Sequence, residues 1–409
     1  MITFEDLRKS SENGATRLTA SLTIDDARET NAYKLWLEVD DKYAYGLVDD
    51  RIDGFVVAIL SYAIKFKHDI KFEIPITSLL KQQIERDFFC VICQHQPELY
   101  HPKLIGPTVE PIISQKVIAA MGLSCGVDCL FTVKNRFLET PAHVRYFFMT
   151  DAHVNITSPS VEESKNRFRA LSANSQALAD ELRIPLVVAH TNWGKFSIPG
   201  LSIANSTTYC NCFAALCLQK LFSLYFIASG GPIVDFGVKY LKHGIFRTDC
   251  SNYDLISLGA FSIPSIRFIV DGLETRVAKI KDLMDWPIAQ RHLDVCECHR
   301  SHTVGNGTYD CHKCMHTVCE IISQGGYDGL AKFSSVFDIE YVKNHKAEYL
   351  AYAICQRLER SEVGLEVWPC RARFEANCIV YIKAAYIIFR KLMRKVSHKK
   401  SDATKWIDI

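Results

Sequence analysis

"MGLSCGVDCLFT" spans Met121 to Thr132, and its reading decides the fold. Apolar residues lead into it, Ser124-x-Gly126-x-Asp128 makes a turn, and an amphipathic segment follows. A turn between a strand and a helix is a ready anion site. The first N–H groups of a helix lack internal partners, and the helix dipole favours negative charge there. Gly126 allows a sharp turn and a close approach of backbone to ligand. Ser124 adds a hydroxyl. Asp128, near the helix start, suits a cap or a magnesium ion that bridges phosphates. The loop lacks the lysine of Gly-x-x-x-x-Gly-Lys-Ser/Thr and the three spaced glycines of the dinucleotide pattern. The plain alternative is a strand–helix turn with Asp128 as an ordinary cap.

The surroundings set this loop in an alternating pattern. "QKVIAAMGLS" reads as a strand and "CLFTVKNRFLE" as a helix ending before Pro141. "HVRYFFMTD" reads as a strand, "VEESKNRFRALSANSQALADEL" as a long helix, and "IPLVVAHTN" as a strand. "TTYCNCFAALCLQKLF" is a helix and "SLYFIASGG" a strand. Alternation of this kind predicts an α/β fold, a parallel doubly wound sheet that binds ligands at the carboxyl ends of its strands. Upstream, "NAYKLWLEV" and "DIKFEIPI" alternate as half-buried strands do, and "DGFVVAILSYAIKF" reads as a buried helix with Asp53 as its cap. The expected organisation is an N-terminal α+β region (1–110), an α/β domain (111–290), a metal-binding segment (291–325) and a helical C-terminal region (326–409). The stretch from about 236 reads as loop-rich.

The Ser124, Gly126 and Asp128 pattern, with strand before and helix after, resembles the Ser-Gly-Gly-x-Asp-Ser loop of the ATP pyrophosphatases. These are the adenine-nucleotide alpha hydrolase-like enzymes, which include asparagine synthetase, 7-cyano-7-deazaguanine synthase and tRNA thiouridine synthases. Cys125 stands where the first glycine is usual and Cys129 where the final serine is usual. The resemblance implies ATP and magnesium as cofactors, cleavage between the alpha and beta phosphates, transfer of AMP to a substrate oxygen, and departure of pyrophosphate. It assigns nucleotide contact to Ser124, Cys125, Gly126, Val127, Asp128 and Cys129. In this fold the second strand ends over the adenine and ribose, which points to Thr150, Asp151 and His153, with Asp151 as the chosen contact. His190, Asn192 and Ser229 end the next strands. Arg276 and Lys279 in "DGLETRVAKI" lie one helical step apart on one face, and their charges suit a leaving pyrophosphate. Asp128, Arg276 and Lys279 are thus the candidate catalytic residues.

"DVCECHRSHTVGNGTYDCHKCMHTVC" holds the other concentration of chemistry. Cys311-x-x-Cys314 is half of a zinc knuckle, and Cys296 and Cys298 lie upstream across a flexible "GNG". Four thiolates complete a tetrahedral zinc site. The Cys-x-Cys spacing is tight, so His302 is an alternative to one member. The unbound reading is a set of free thiols. The cluster is similar to the zinc-binding set that follows the core in 7-cyano-7-deazaguanine synthase, except that Thr308 stands where a further cysteine is expected. "CVICQH" (Cys90 to His95) reads as core rather than as a second metal half-site.

Composition sets the outer limits. Hydrophobic residues make up 48% and charged residues 23% of 409 positions, ordinary for a globular chain. The net charge of +2 provides no field that draws the chain to nucleic acid or membrane. The only basic run, from Arg390 to Lys400, reads as a solvated helix end. The start lacks a signal-peptide pattern, and runs such as Cys378 to Phe389 fall short of the ~20 residues a span needs. A cytoplasmic protein is expected, and its 16 cysteines then read as thiols rather than disulfides. The partners expected are a small carboxylate-bearing substrate, a separate ammonia or sulfur donor protein, and a second copy in a homodimer. The predicted outcome is amide formation. The alternatives are sulfur transfer through a low-pKa Cys125 or Cys129, and a nucleotide-binding subunit without activity.

Overall fold

The computed structural model describes residues 1–26, 29–90, 99–114, 116–138, 144–152, 161–196, 206–232, 239–241, 245–247, 254–296, 309, 311–355 and 379–380. The chain divides into two compact units, Met1–Lys279 and Ile280–Ile409.

The first unit begins with three long antiparallel strands, β1 (Ile2–Glu12), β2 (Ala15–Asp25) and β3 (Thr30–Asp40). Asn13 and Gly14 join β1 to β2 with positive φ at both positions, 55° and 82°. Such a turn matches the twist of the strands it connects. Leu18, Ala20, Leu22 and Ile24 of β2 and Leu35, Leu37 and Val39 of β3 are buried, so one face of the meander belongs to the core.

Helix Asp53–Phe66 follows and is buried on nearly every side. It packs against helix Ser206–Cys217 at close range. A Cβ on Gly54 would stand 2.6 Å from the Phe213 carbonyl oxygen and 2.7 Å from Cys217 Sγ, so only glycine permits the contact. The expected Asp53 cap is not what forms. Ile52 is the N-cap residue, and Asp53 is the first helical residue. Its carboxylate accepts from Thr77 N at 2.7 Å, Thr77 Oγ1 at 2.6 Å and Gln219 Nε2 at 3.2 Å. A tertiary bridge has taken the carboxylate that local sequence would give to the helix start.

The short strands β4 (Ile70–Phe72), β5 (Ile76–Thr77), β6 (Leu104–Ile105) and β7 (Thr108–Val109) come next. Then come β8 (Ala119–Gly122), β9 (Val144–Thr150), β10 (Leu186–Thr191) and β11 (Leu224–Ala228). β12 (Lys239–Leu241), β13 (Ile245–Arg247) and β14 (Arg267–Asp271) complete the set. The main sheet has ten strands in the order β14-β11-β8-β9-β10-β3-β2-β1-β4-β6. β5 pairs with β7 and β12 with β13 in separate ribbons. β14, β11, β8, β9 and β10 are mutually parallel. With helices Val127–Leu138, Val161–Leu182 and Ser206–Cys217 between the strands, this half is α/β and compatible with a doubly wound fold. Chain order reverses at β8, which has β9 on one side and β11 on the other. That switch point is where such sheets bind ligands.

The N-terminal strands extend the same sheet. β3 pairs antiparallel with β10, matching Leu37 with Thr191, Glu38 with His190 and Val39 with Ala189. Asn192 reinforces the join, accepting from Trp36 N at 3.0 Å and donating to the Lys34 carbonyl at 2.7 Å. The sheet is therefore mixed, with its parallel part carrying the predicted loop.

The second unit contains helices Pro287–His292, His312–Ala331, Ile339–Asn344 and Lys346–Cys355. The last of these helices ends at Cys355, and the basic run near Arg390 lies outside the described residues. No helix among the described residues is long and apolar enough to cross a membrane.

Candidate functional site

β8 stops at Gly122, and Leu123 N still bonds to the Phe148 carbonyl of β9 at 2.9 Å. Ser124 is exposed, Cys125 and Val127 are buried, and Gly126 and Asp128 are half-buried. The Gly126 carbonyl accepts from Leu130 N at 2.9 Å, the first bond of helix Val127–Leu138. Val127 is buried, at 2% exposure.

The two loop cysteines have structural roles. Cys125 has φ 55°, in the left-handed region that glycine occupies without strain. Its sulfur lies 3.6 Å from Ser175 Oγ on helix Val161–Leu182. Cys129 Sγ accepts from Ser124 N at 3.3 Å and donates to the Gly122 carbonyl at 3.4 Å. It thus staples the loop to the end of β8. Burial pushes the Cys129 thiol up, against the backbone N–H groups that favour the thiolate. Desolvation outweighs the helix start here, opposite to the lowered thiol that sulfur transfer would use.

Asp128 is where distant parts of the first unit meet. Its Oδ1 accepts from Lys279 Nζ at 2.7 Å, and its Oδ2 lies 3.4 Å from Arg276 Nη1. Lys279 Nζ also donates to the Ser229 carbonyl at 2.5 Å, just past β11. The Lys279 side chain is fully buried, whereas Asp128 and Arg276 keep 26% and 21% exposure. Phe131 walls the ammonium, 6.0 Å from its ring centre. Arg276 and Lys279 share a face at the start of helix Arg276–Leu283, as their spacing predicts. Two cations thus converge on one carboxylate beside a helix N-terminus, and the helix start itself favours an anion.

A second arrangement lies on the next strand ends. Asp151 follows β9, with Oδ1 accepting from Thr191 N at 2.9 Å and Oδ2 2.9 Å from His190 Nδ1. The carboxylate hydrogen bond raises His190 above its ordinary value despite desolvation. Both Asp151 oxygens therefore reach β10, and Asp151 holds His190. Thr150 Oγ1 accepts from Ala152 N at 3.3 Å, and His153 lies outside the described residues. Sequence reasoning missed Arg136, which pairs with Asp271 at 2.9 and 2.5 Å and lies 4.7 Å over the Phe226 ring. No local motif marks that pair, because its partners are brought together by β14.

In the second unit, Cys296, Cys311 and Cys314 place their sulfurs within 4.8 Å of one another. Cys311 is the N-cap residue of helix His312–Ala331, and its sulfur accepts from Cys314 N at 3.4 Å. Hydrogen bonds to Cys296 and Cys311, then burial, push the Cys314 thiol up. Three crowded thiols are a soft donor set that fits a cation such as zinc, which replaces their protons. Cys298 and His302, the expected remaining ligand candidates, lie outside the described residues. Cys319 is buried apart from the cluster and donates to the Tyr349 carbonyl at 3.5 Å. Cys210, Cys212 and Cys217 are buried and outside any disulfide, as their helical pattern predicts, whereas Cys90, expected in the core, is exposed because it stands on a solvent-facing position, and the rest of its motif lies outside the described residues. Compared with known proteins, the chain matches no family model, no curated protein and no solved structure.

Proposed function

We propose that the chain is an AMP-forming enzyme of the ATP pyrophosphatase type, which adenylates a small carboxylate and passes it to an amine to form an amide. The observation that supports this most is the meeting of Asp128, Lys279, Arg276 and the Ser229 carbonyl at the carboxyl end of the switch-point strand. Pyrophosphate departure needs fixed donors and positive charge where negative charge develops. Ser124 and the start of helix Val127–Leu138 supply donors, and Arg276 with Lys279 supplies charge. Asp128 is the group that would meet a magnesium ion on the phosphates, because each carboxylate oxygen can take a further partner and the side chain keeps 26% exposure. The ion would neutralise phosphate charge. Zinc in the Cys296–Cys311–Cys314 cluster would be structural, with Cys298 or His302 as the remaining ligand. The near-neutral charge of the chain favours a small acceptor over tRNA.

The test is ATP–pyrophosphate exchange by the full-length protein with magnesium and pooled small carboxylic acids. Carboxylate-dependent exchange that Asp128→Asn abolishes is the expected result, and no exchange by the unaltered chain would overturn the proposal. One observation favours a second reading, a nucleotide-binding subunit without turnover. Cys129 already occupies the Ser124 N–H, a donor a phosphate would otherwise use. ATP binding at equilibrium, without exchange under any acid, would select that reading.

A further inference from the structure

The rim that carries the Ser124–Asp128 loop continues across β9 to β10. Gly122 pairs with Phe148, and Met149 and Thr150 pair with Val188 and Ala189. Asp151 and His190 are the next residues along. Two strand spacings put His190 roughly 10 Å along the rim from Ser124. That is within reach of a small acyl group whose phosphate sits at the loop.

The local chemistry is directional. A carboxylate only accepts, so the hydrogen bond to Asp151 places the proton of the neutral ring on Nδ1 and the lone pair on Nε2. Thr191 N fixes the other Asp151 oxygen. Phe168 packs edge-on against the imidazole at 5.5 Å. The His190 side chain is 47% exposed while that of Asp151 is 16% exposed. Among the described residues, none hydrogen-bonds His190 Nε2. An oriented imidazole with an open lone pair, backed by a shielded carboxylate, is the arrangement of a general base. Glu38 faces it across the β3–β10 pairing and is itself bridged to Arg17. Asp151 and Glu38 both favour the protonated ring.

We propose that His190 Nε2 is the base that takes a proton from an amine nucleophile, ammonium or a primary amine, with Asp151 as its positioning residue. The proposal rests on the adenylation reading above. In the step, ammonium gives one proton to Nε2, which frees the nitrogen lone pair that an uncharged amine already has; the lone pair forms a bond to the acyl carbon, and a further N–H proton passes to water as the neutral amide forms. The acyl carbon–oxygen bond to AMP breaks, and its electron pair leaves with the AMP phosphate oxygen. The imidazolium then returns its proton to solvent. This assigns the acceptor half of the reaction to nitrogen chemistry, because an ionised persulfide would need no base.

The experiment uses the full-length protein with ATP, magnesium and the same acid pool, and compares ammonium with hydroxylamine as nucleophile. Hydroxylamine is uncharged at neutral pH and needs little help from a base. His190→Gln is expected to lower the ammonium-dependent rate by about 100-fold, and hydroxamate formation at least ten times less than that. Asp151→Asn should move the acid limb of the ammonium profile to lower pH, a change that a purely structural role would not produce. Equal losses with both nucleophiles, or full ammonium turnover in His190→Gln, overturn the proposal while exchange by the unaltered chain upholds adenylation. A raised KM for ATP with an unchanged nucleophile preference would make His190 a nucleotide contact and also overturn it. No exchange by the unaltered chain removes the adenylation reading itself, and this proposal with it.

Discussion

Lys279 offers a direct test of the site's electrostatics. Its buried ammonium has Asp128 Oδ1 at 2.7 Å and the Ser229 carbonyl at 2.5 Å. At that separation and an effective dielectric near 20, attraction to Asp128 is about 6 kcal/mol. Removing an ammonium from water costs several kcal/mol, so the pair is close to neutral against an apolar pair of the same shape. Breaking one side is different. Asp128→Asn leaves a buried cation beside a neutral amide, with an expected loss of about 3 kcal/mol. Lys279→Met leaves Asp128 with Arg276 and with 26% exposure to screening water, so its loss should be nearer ~1 kcal/mol. The double variant should lose about 1 kcal/mol rather than the sum of the two, because each change removes the other's unpaired partner. Two compact units make a single global unfolding energy ill-defined. Hydrogen exchange in peptides covering residues 119–138 is the better assay. Asp128→Asn should speed exchange there by about 100-fold, since each 1.4 kcal/mol is tenfold, and Lys279→Met added to it should restore most of the protection. A double variant no better protected than Asp128→Asn would refute the reasoning. Pyrophosphate exchange should stay lost in the double variant, which separates the chemical role of Asp128 from its structural one.

Three further outcomes are expected. Protein expressed with zinc should retain one tightly bound zinc per chain, and Cys311→Ser should release it and lower the melting temperature; metal analysis finding none would contradict the cluster's role. Cys125→Gly should protect residues 119–138 from hydrogen exchange about fivefold better than Cys125→Ala, for ~1 kcal/mol of strain, because both lose the thiol but only alanine keeps the left-handed strain at φ 55°, and the reverse order of protection would remove strain as the reason. The Asp151–His190 bond raises the folded pKa of His190 above 6.5, so its stabilisation is complete below about pH 6.5 and fades as pH rises through the folded value. Asp151→Asn should therefore lower the melting temperature more at pH 6 than at pH 9, and a pH-independent loss would refute the linkage.

What the sequence disclosed depended on how local each cause was. The loop was legible because a strand, a tight turn and a helix leave few residue patterns that work, and Ser124-x-Gly126-x-Asp128 is one of them. Arg276 and Lys279 were legible as one helical face. Asp53 misled because a carboxylate ahead of an apolar run looks like a cap, yet Thr77 and Gln219, remote in sequence, claim it. The join of β3 to β10 was invisible for a related reason, since Asn192 reaches Trp36 across 156 positions. The sequence around β14 reads as loop because five residues, Arg267–Asp271, are too short for a periodic signal in a strand of a parallel sheet. That omission hid more than one strand. With β14 beside β11, and β11 beside β8, the segment leaving β14 emerges on the same rim as the Ser124–Asp128 loop. Helix Arg276–Leu283 begins five residues after β14 ends, so its first turn lies near the carboxyl end of β11, where the Ser229 carbonyl stands. The meeting of Asp128 with Lys279 is then a consequence of strand order, and a variant that shortened this connection should disconnect the two cations from Asp128 without altering either motif.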